Sequence, residues 1–109
     1  MDAMVTKTGQ VNLQLPLAEA YRRSAQALNI IGGTVKSEDQ SAGRIVGTVP
    51  MSWTSWGESL LVEVSGVDND ALVRVTSKTR LPTQVVDFGK NARNVARILD
   101  WLRRSPTRG

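Results

Sequence analysis

Carboxylates are the side chains of this sequence that could carry acid–base chemistry, because its 109 residues include no histidine and no cysteine. Those absences remove the commonest general base, the commonest metal ligand and thiolate zinc sites. The acid pairs Glu38–Asp39 and Asp68–Asp70 fall in predicted turns, where such residues serve the backbone. Glu58 and Glu63 flank a predicted strand or face outward from it. Because no pair is placed in an apolar pocket, we predict no catalytic residues, no metal site, no cofactor and no enzymatic activity.

Two short motifs before the last predicted helix have a simple structural explanation. Asp87–Gly89 reads DFG, a triplet that binds metal in kinases, but this chain is far shorter than a kinase and has no glycine-rich or catalytic loop. Gly89–Asn91 is not a phosphate-binding loop, because the G-x-x-x-x-G-K-[ST] spacing is absent. We predict that Asp87 caps the helix, since a carboxylate suits its positive N-terminal end.

Basic residues are unevenly distributed along the chain. The net charge of +4 comes from 14 basic and 10 acidic residues, and from Lys90 onward Asp100 is the one acid. Most of the excess positive charge therefore lies on the last predicted helix and the tail, and a predicted strand carries a further row of basic residues. These surfaces could contact phosphates, which makes nucleic-acid binding an alternative function, although a solvated helix face explains the charges without a partner. The residues of this alternative are Arg74, Lys78, Arg80, Lys90, Arg93, Arg97 and Arg104.

Large apolar side chains are concentrated in the stretch Val49–Gly57, which reads VPMSWTSWG. Trp53 is in register with the inward-facing residues of the preceding strand, whereas Trp56 lies in a predicted turn. Such side chains either fill the core or line a gap in it, and each burial stabilises the fold by a few kcal/mol at about 25 cal/mol per Å². The candidate ligand- or partner-binding residues are Met51, Trp53, Trp56 and Trp101.

Hydropathy periodicity predicts two amphipathic helices and five strands. One helix begins at Pro16 and ends at Gly32–Gly33, and the other follows Asp87. Strand alternation begins at Gln10–Leu15, and Pro50 bends a later strand or places it at an edge. The buried arcs of the helices are predicted to comprise Leu17, Ala20, Tyr21, Ser24, Ala27, Leu28 and Ile31, and then Phe88, Ala92, Val95, Ile98, Leu99 and Leu102. Inward strand positions are Ile45, Gly47, Val49, Leu60, Val62, Val64, Ala71, Val73, Val75 and Ser77.

The resulting order, β-α-β-β-β-β-α, predicts an α+β fold with an antiparallel five-stranded sheet and two helices packed on one face. This order resembles the TATA-binding-protein-like or helix-grip arrangement, in which a curved sheet wraps a long C-terminal helix. The resemblance implies a gap between sheet and helix that holds an apolar ligand. The stretch LPTQVVDFGKNARNVARILDWL is also similar to the C-terminal end of small uncharacterised bacterial domains, through Gln84, Asp87, Gly89, Lys90 and Asn91.

The domain limits follow from composition. We expect a disordered N-terminal segment over residues 1–9, a single α+β domain over 10–104 and a basic tail over 105–109. No apolar run approaches the roughly 20 residues that span a membrane. The start, MDAMVTKTGQ, lacks the features of a signal peptide, so we expect a cytoplasmic protein.

Together these features favour a non-enzymatic binding or interaction domain. The expected partner is a small apolar ligand held between the sheet and the C-terminal helix, or a protein bound through the Trp53–Trp56 hairpin. A homodimer through that hairpin or the Pro50 edge is a further expectation, and nucleic-acid binding is the alternative.

Overall fold

A computed structural model describes residues 2–50, 57–82 and 90–104, with side chains described except at 2–4, 80–82 and 90. The element order is β-α-β-β-β-β-α, as predicted from the sequence. The elements are β1 (Asp2–Leu13), α1 (Leu17–Ile30), β2 (Thr34–Asp39), β3 (Arg44–Val49), β4 (Glu58–Val67), β5 (Asp70–Pro82) and α2 (Lys90–Arg104).

The five strands form one antiparallel sheet in the order β1-β5-β4-β3-β2. Both helices pack on the same face, which we call the inner face, and the opposite face is the outer face. The predicted five-stranded sheet with two helices on one face is therefore confirmed. The predicted inward positions of β4 and β5 are buried, as is Ile45 of β3. The inner-face core residues are Ile45, Leu60, Val62, Val64, Ala71, Val73 and Val75.

Strand β1 begins at Asp2, so the prediction that residues 1–9 are disordered is wrong for the described residues. The strand pairs with β5 from Asp2, opposite Pro82, to Leu13, opposite Ala71. Backbone hydrogen bonds to β5 hold this segment, and hydropathy cannot reveal such bonds. The tail over 105–109 lies outside the described residues, and the limits of the domain stay a prediction.

Helix α1 buries the predicted arc except at one position, and it also buries one residue outside that arc. Leu17, at the first position of the helix, is exposed. Arg23, which lies outside the predicted buried arc, is 4% exposed. Glu19 explains how this cation is accommodated, because its Oε2 accepts a hydrogen bond of 2.9 Å from Arg23 Nε and also pairs with Arg22.

Helix α2 is rotated relative to the arc predicted for it. Val95, Ile98, Leu99 and Leu102 are buried as predicted, but Ala92 is exposed. Two asparagines take the buried positions in the first turns of the helix, Asn91 and Asn94. The sheet-facing side of α2 is therefore polar in its first turns. A search for an apolar arc cannot anticipate this.

Gly9 lets α2 approach the sheet closely. A Cβ atom on Gly9 would lie 2.7 Å from Val95 Cγ1 and 2.8 Å from Leu99 Cδ1, shorter than any ordinary carbon–carbon contact. A larger residue here would force Val95 and Leu99 to move, so glycine is favoured for a steric reason. The close approach seats α2 on β1 and β5 and fixes the position of its asparagines above the inner face.

We expect Gly9→Val to lower the free energy of unfolding by about 1–3 kcal/mol, the usual cost of overpacking. Gln10→Val is the matched control, because Gln10 is exposed and pairs with Arg74 on the outer face. That variant should stay within about 0.5 kcal/mol of the wild type. Urea unfolding measures both, and equal stabilities for the two variants would contradict the role given to Gly9.

The Glu19 pairs predict a pH dependence of stability. Hydrogen bonds from Arg22 and then Arg23 lower the pKa of Glu19 from 4.5 to about 2. A lowered folded-state pKa stabilises the fold above pH 4.5, and this stabilisation is lost as the pH falls toward 2. Glu19→Gln should therefore be less stable than the wild type at pH 7, with the difference disappearing near pH 2. Thermal unfolding across this range measures it, and a difference independent of pH would contradict the assignment.

Candidate functional site

A group of buried polar side chains lies between the sheet and the first turns of α2. We call it the buried polar cluster. None of its members is more than 4% exposed. Buried polar groups are costly unless they are hydrogen-bonded, so each contact has to be accounted for. The cluster consists of Glu58 on β4, Ser77 and Thr79 on β5, and Asn91 and Asn94 on α2.

One half of the cluster converges on Asn91. Its Oδ1 accepts hydrogen bonds from the hydroxyls of Ser77, at 2.6 Å, and Thr79, at 3.2 Å. Its Nδ2 donates to the backbone carbonyl of Val5 on β1, at 3.4 Å. Asn91 thus joins α2 to two neighbouring strands, and this half of the cluster holds the start of the helix in place.

The other half of the cluster converges on Glu58. Asn94 Nδ2 donates to Glu58 Oε1 at 2.8 Å and to Ser77 Oγ at 3.4 Å. The second carboxyl oxygen, Glu58 Oε2, is buried without a hydrogen-bond partner, and it is the one buried side-chain N or O atom of the described residues in that condition. The cluster is therefore complete except at one acceptor.

No cationic side chain among the described ones forms an ion pair with Glu58. The ion pairs among them are those of Glu19 on α1 and those that Asp100 makes with Arg103 and Arg104 near the end of α2. A buried carboxylate without a counterion destabilises a fold, so its place in the interior calls for a functional explanation.

The buried polar cluster occupies one end of the inner face. β1 and β4 begin at this end, β5 finishes there, and α2 starts there. The stretches 51–56 and 83–89, which connect to these strand and helix ends in sequence, lie outside the described residues. The apolar core fills the rest of the inner face, so the layer between sheet and helix changes from apolar to polar along its length.

Glu58 corrects the sequence-based expectation that this residue flanks its strand or faces outward. It is in register with Leu60, Val62 and Val64, and all four are buried. That alternation was visible in the sequence and could have identified Glu58 as an interior carboxylate. Asn91 and Asn94 carried a weaker signal, a spacing of three residues on the same helix face as Val95 and Ile98.

The structure describes one of the four predicted ligand-binding residues. Trp101 is partly buried and packs against the core. It follows Asn94 by seven residues, about 10 Å along the helix axis, so it lies toward the other end of α2. Met51, Trp53 and Trp56 lie outside the described residues, and their role stays a prediction.

The described basic side chains of the nucleic-acid alternative do not form one surface. Arg74 and Lys78 are exposed on the outer face, where Glu63 lies opposite Arg74 on β4. The side chains of Arg93, Arg97 and Arg104 are exposed on α2, which covers the inner face. The two groups are therefore on opposite sides of the sheet. The side chains of Arg80 and Lys90 lie outside the described ones.

A groove of about 730 Å³ lies beside α1. It is lined by residues that include Arg22, Glu38 and Tyr21. The Tyr21 hydroxyl donates to Glu38 Oε1 at 3.2 Å, and burial together with this contact raises the pKa of Tyr21. Its lining contains no buried polar atom without a partner among the described side chains, so it gives less indication of a ligand than Glu58 does.

Within the described part of the chain, no group of acidic side chains is arranged to hold a metal ion. Neither described helix is long and apolar enough to cross a membrane.

Solved structures similar to this chain share its fold. No family model and no curated protein matches the sequence. Ara h 8.0201 superposes with a TM-score of 0.62 at 7% identity, covering 93% of this chain and 99% of that one. An uncharacterised protein from Bacillus thuringiensis gives 0.65 at 9%, covering 91% and 94%. Norcoclaurine synthase from Thalictrum flavum, in complex with dopamine and hydroxybenzaldehyde, gives 0.62 at 4%, covering 98% and 91%.

At these identities the likeness establishes the fold. It is a helix-grip fold, in agreement with the resemblance inferred from element order. The similar structures include an enzyme and an uncharacterised bacterial protein, so the fold alone does not fix an activity.

We expect Asn94→Leu to lower the free energy of unfolding by about 2–4 kcal/mol, because Glu58 would lose its donor while remaining buried. The double variant Glu58→Leu/Asn94→Leu should be less destabilised than the sum of its single variants, since removing both partners leaves no unpaired polar atom. Arg93→Leu, at an exposed neighbouring position, is the control. Urea unfolding measures the cycle, and additive effects would contradict the pairing of Glu58 with Asn94.

Proposed function

We propose that this protein is a binding domain that takes up a small, largely apolar organic molecule between the inner face of the sheet and α2. The entry lies at the end occupied by the buried polar cluster. The observation that carries the proposal is Glu58 Oε2, a buried acceptor without a partner. Ligand sites are typically lined by apolar side chains and a few precisely placed polar groups. The end of the inner face where the apolar core meets the buried polar cluster has this composition.

The sequence on either side of the cluster supports the proposal. Glu58 follows the stretch 51–56, which contains Met51, Trp53 and Trp56. We infer that these side chains form the apolar wall of the site, since aromatic residues contribute large contact areas to ligand pockets. The alternative use of the same hairpin is to bind a protein partner or a second copy of the chain.

The fold supports the same conclusion by analogy. One similar structure, that of norcoclaurine synthase, contains dopamine and hydroxybenzaldehyde, which are small aromatic molecules. Glu58 is also the interior carboxylate that an acid–base enzyme on this fold would need, so catalysis by Glu58 is the second candidate function. A cytoplasmic location remains our expectation.

The test uses N-phenyl-1-naphthylamine, a neutral apolar probe whose fluorescence rises on leaving water. We expect saturable binding to the wild-type protein. Trp56→Ala should raise the dissociation constant about five-fold or more, as loss of a significant binding residue does. Circular dichroism establishes whether the variant keeps its fold.

Trp101→Ala is the matched control, because it removes the same side chain toward the far end of α2. A smaller loss of probe binding in this variant than in Trp56→Ala would support the proposed position of the site. Failure of the wild-type protein to bind the probe, or binding unaffected by Trp56→Ala in a folded variant, would contradict the proposal.

A further inference from the structure

We propose that the molecule bound at this site carries a protonated amine, which donates a hydrogen bond to Glu58 Oε2. This inference rests on the proposed function and specifies the class of ligand. It is drawn from two properties of the buried polar cluster, the engagement of its hydrogen-bond donors and its charge.

The donors of the cluster are already engaged. Ser77 and Thr79 each have one hydroxyl hydrogen, and both donate to Asn91 Oδ1. The two amide hydrogens of Asn94 go to Glu58 Oε1 and Ser77 Oγ. Asn94 is thus the one of these three residues that donates to Glu58, and none of their hydrogens is left for Glu58 Oε2.

The unfilled position is consequently an acceptor. Glu58 Oε2 is buried and has no partner among the described residues. A ligand that supplied another acceptor would find no free donor at Ser77, Thr79 or Asn94, and it would leave Oε2 unpaired. A ligand that supplies an N–H group completes the hydrogen bonding of the cluster.

Charge distinguishes an amine from a neutral donor. No described side chain forms an ion pair with Glu58, so the carboxylate has no counterion among the described side chains. A protonated amine supplies the charge and the donor together, and charge-assisted hydrogen bonds are about twice as strong as neutral ones. An anionic ligand would meet the carboxylate with like charge.

The test compares three molecules that share a naphthalene ring and a methylene group: 1-naphthylmethylamine, 1-naphthalenemethanol and the carboxylate 1-naphthaleneacetate. At pH 7 they present a cation, a neutral hydroxyl and an anion. Isothermal titration calorimetry on the wild-type protein should show the amine binding about ten-fold or more tightly than the alcohol, and the carboxylate binding most weakly.

Two matched variants assign the preference to one carboxylate. Glu58→Gln removes the charge and should reduce the advantage of the amine over the alcohol to about two-fold or less. Glu63→Gln makes the same change on the same strand, but Glu63 faces the outer side of the sheet beside Arg74. It should leave the advantage unchanged.

The outcomes separate this inference from the proposed function. Equal binding of the amine and the alcohol to the wild-type protein would overturn the ligand class and leave the binding site intact. Binding of none of the three molecules, nor of N-phenyl-1-naphthylamine, would overturn both. Because the first comparison needs only the wild-type protein, it decides the question even where Glu58→Gln fails to fold.

Discussion

The contact between α2 and β1 at Gly9 is the constraint on which the interior of this protein depends. With no side chain at Gly9, Val95 and Leu99 come within contact distance of the strand backbone. The helix then lies close enough for Asn91 to reach the carbonyl of Val5 and for Asn94 to reach Glu58. A helix displaced outward by one methyl group would lengthen these hydrogen bonds, so the steric and polar features of the layer depend on each other.

The arrangement has an energetic consequence. Apolar side chains at the end occupied by the cluster would stabilise a small domain more than a carboxylate with an unpaired oxygen does. Features that oppose stability in this way are typical of functional sites, where the missing interaction is supplied by a ligand. Asn91 shows that the cluster is not merely a packing defect, because its Oδ1 and Nδ2 both have partners and it ties α2 to β1 and β5.

Most of the fold could be predicted from the sequence, because period-two and period-3.6 hydropathy patterns report directly on burial. The alternation in β4 and β5 and the apolar residues of α2 from Val95 onward gave the correct faces. The first half of β1 could not be found in this way. Its inward positions include Lys7 and Gly9, since β1 is an edge strand and α2 comes close at Gly9. Backbone pairing with β5 determines that segment.

The site was missed for a related reason. A polar residue in an apolar alternation is normally assigned to the outer face or to the end of the strand, and this rule placed Glu58 outside. In the structure Glu58, Asn91 and Asn94 bury their polar groups against one another. Each residue looks exposed when it is considered alone, and only the pairing of β4 with β5 beneath α2 makes burial of all three affordable. An interior polar site is therefore a property of the tertiary contacts. In the sequence it shows as a register that continues through a charged residue, as it does from Val64 back to Glu58.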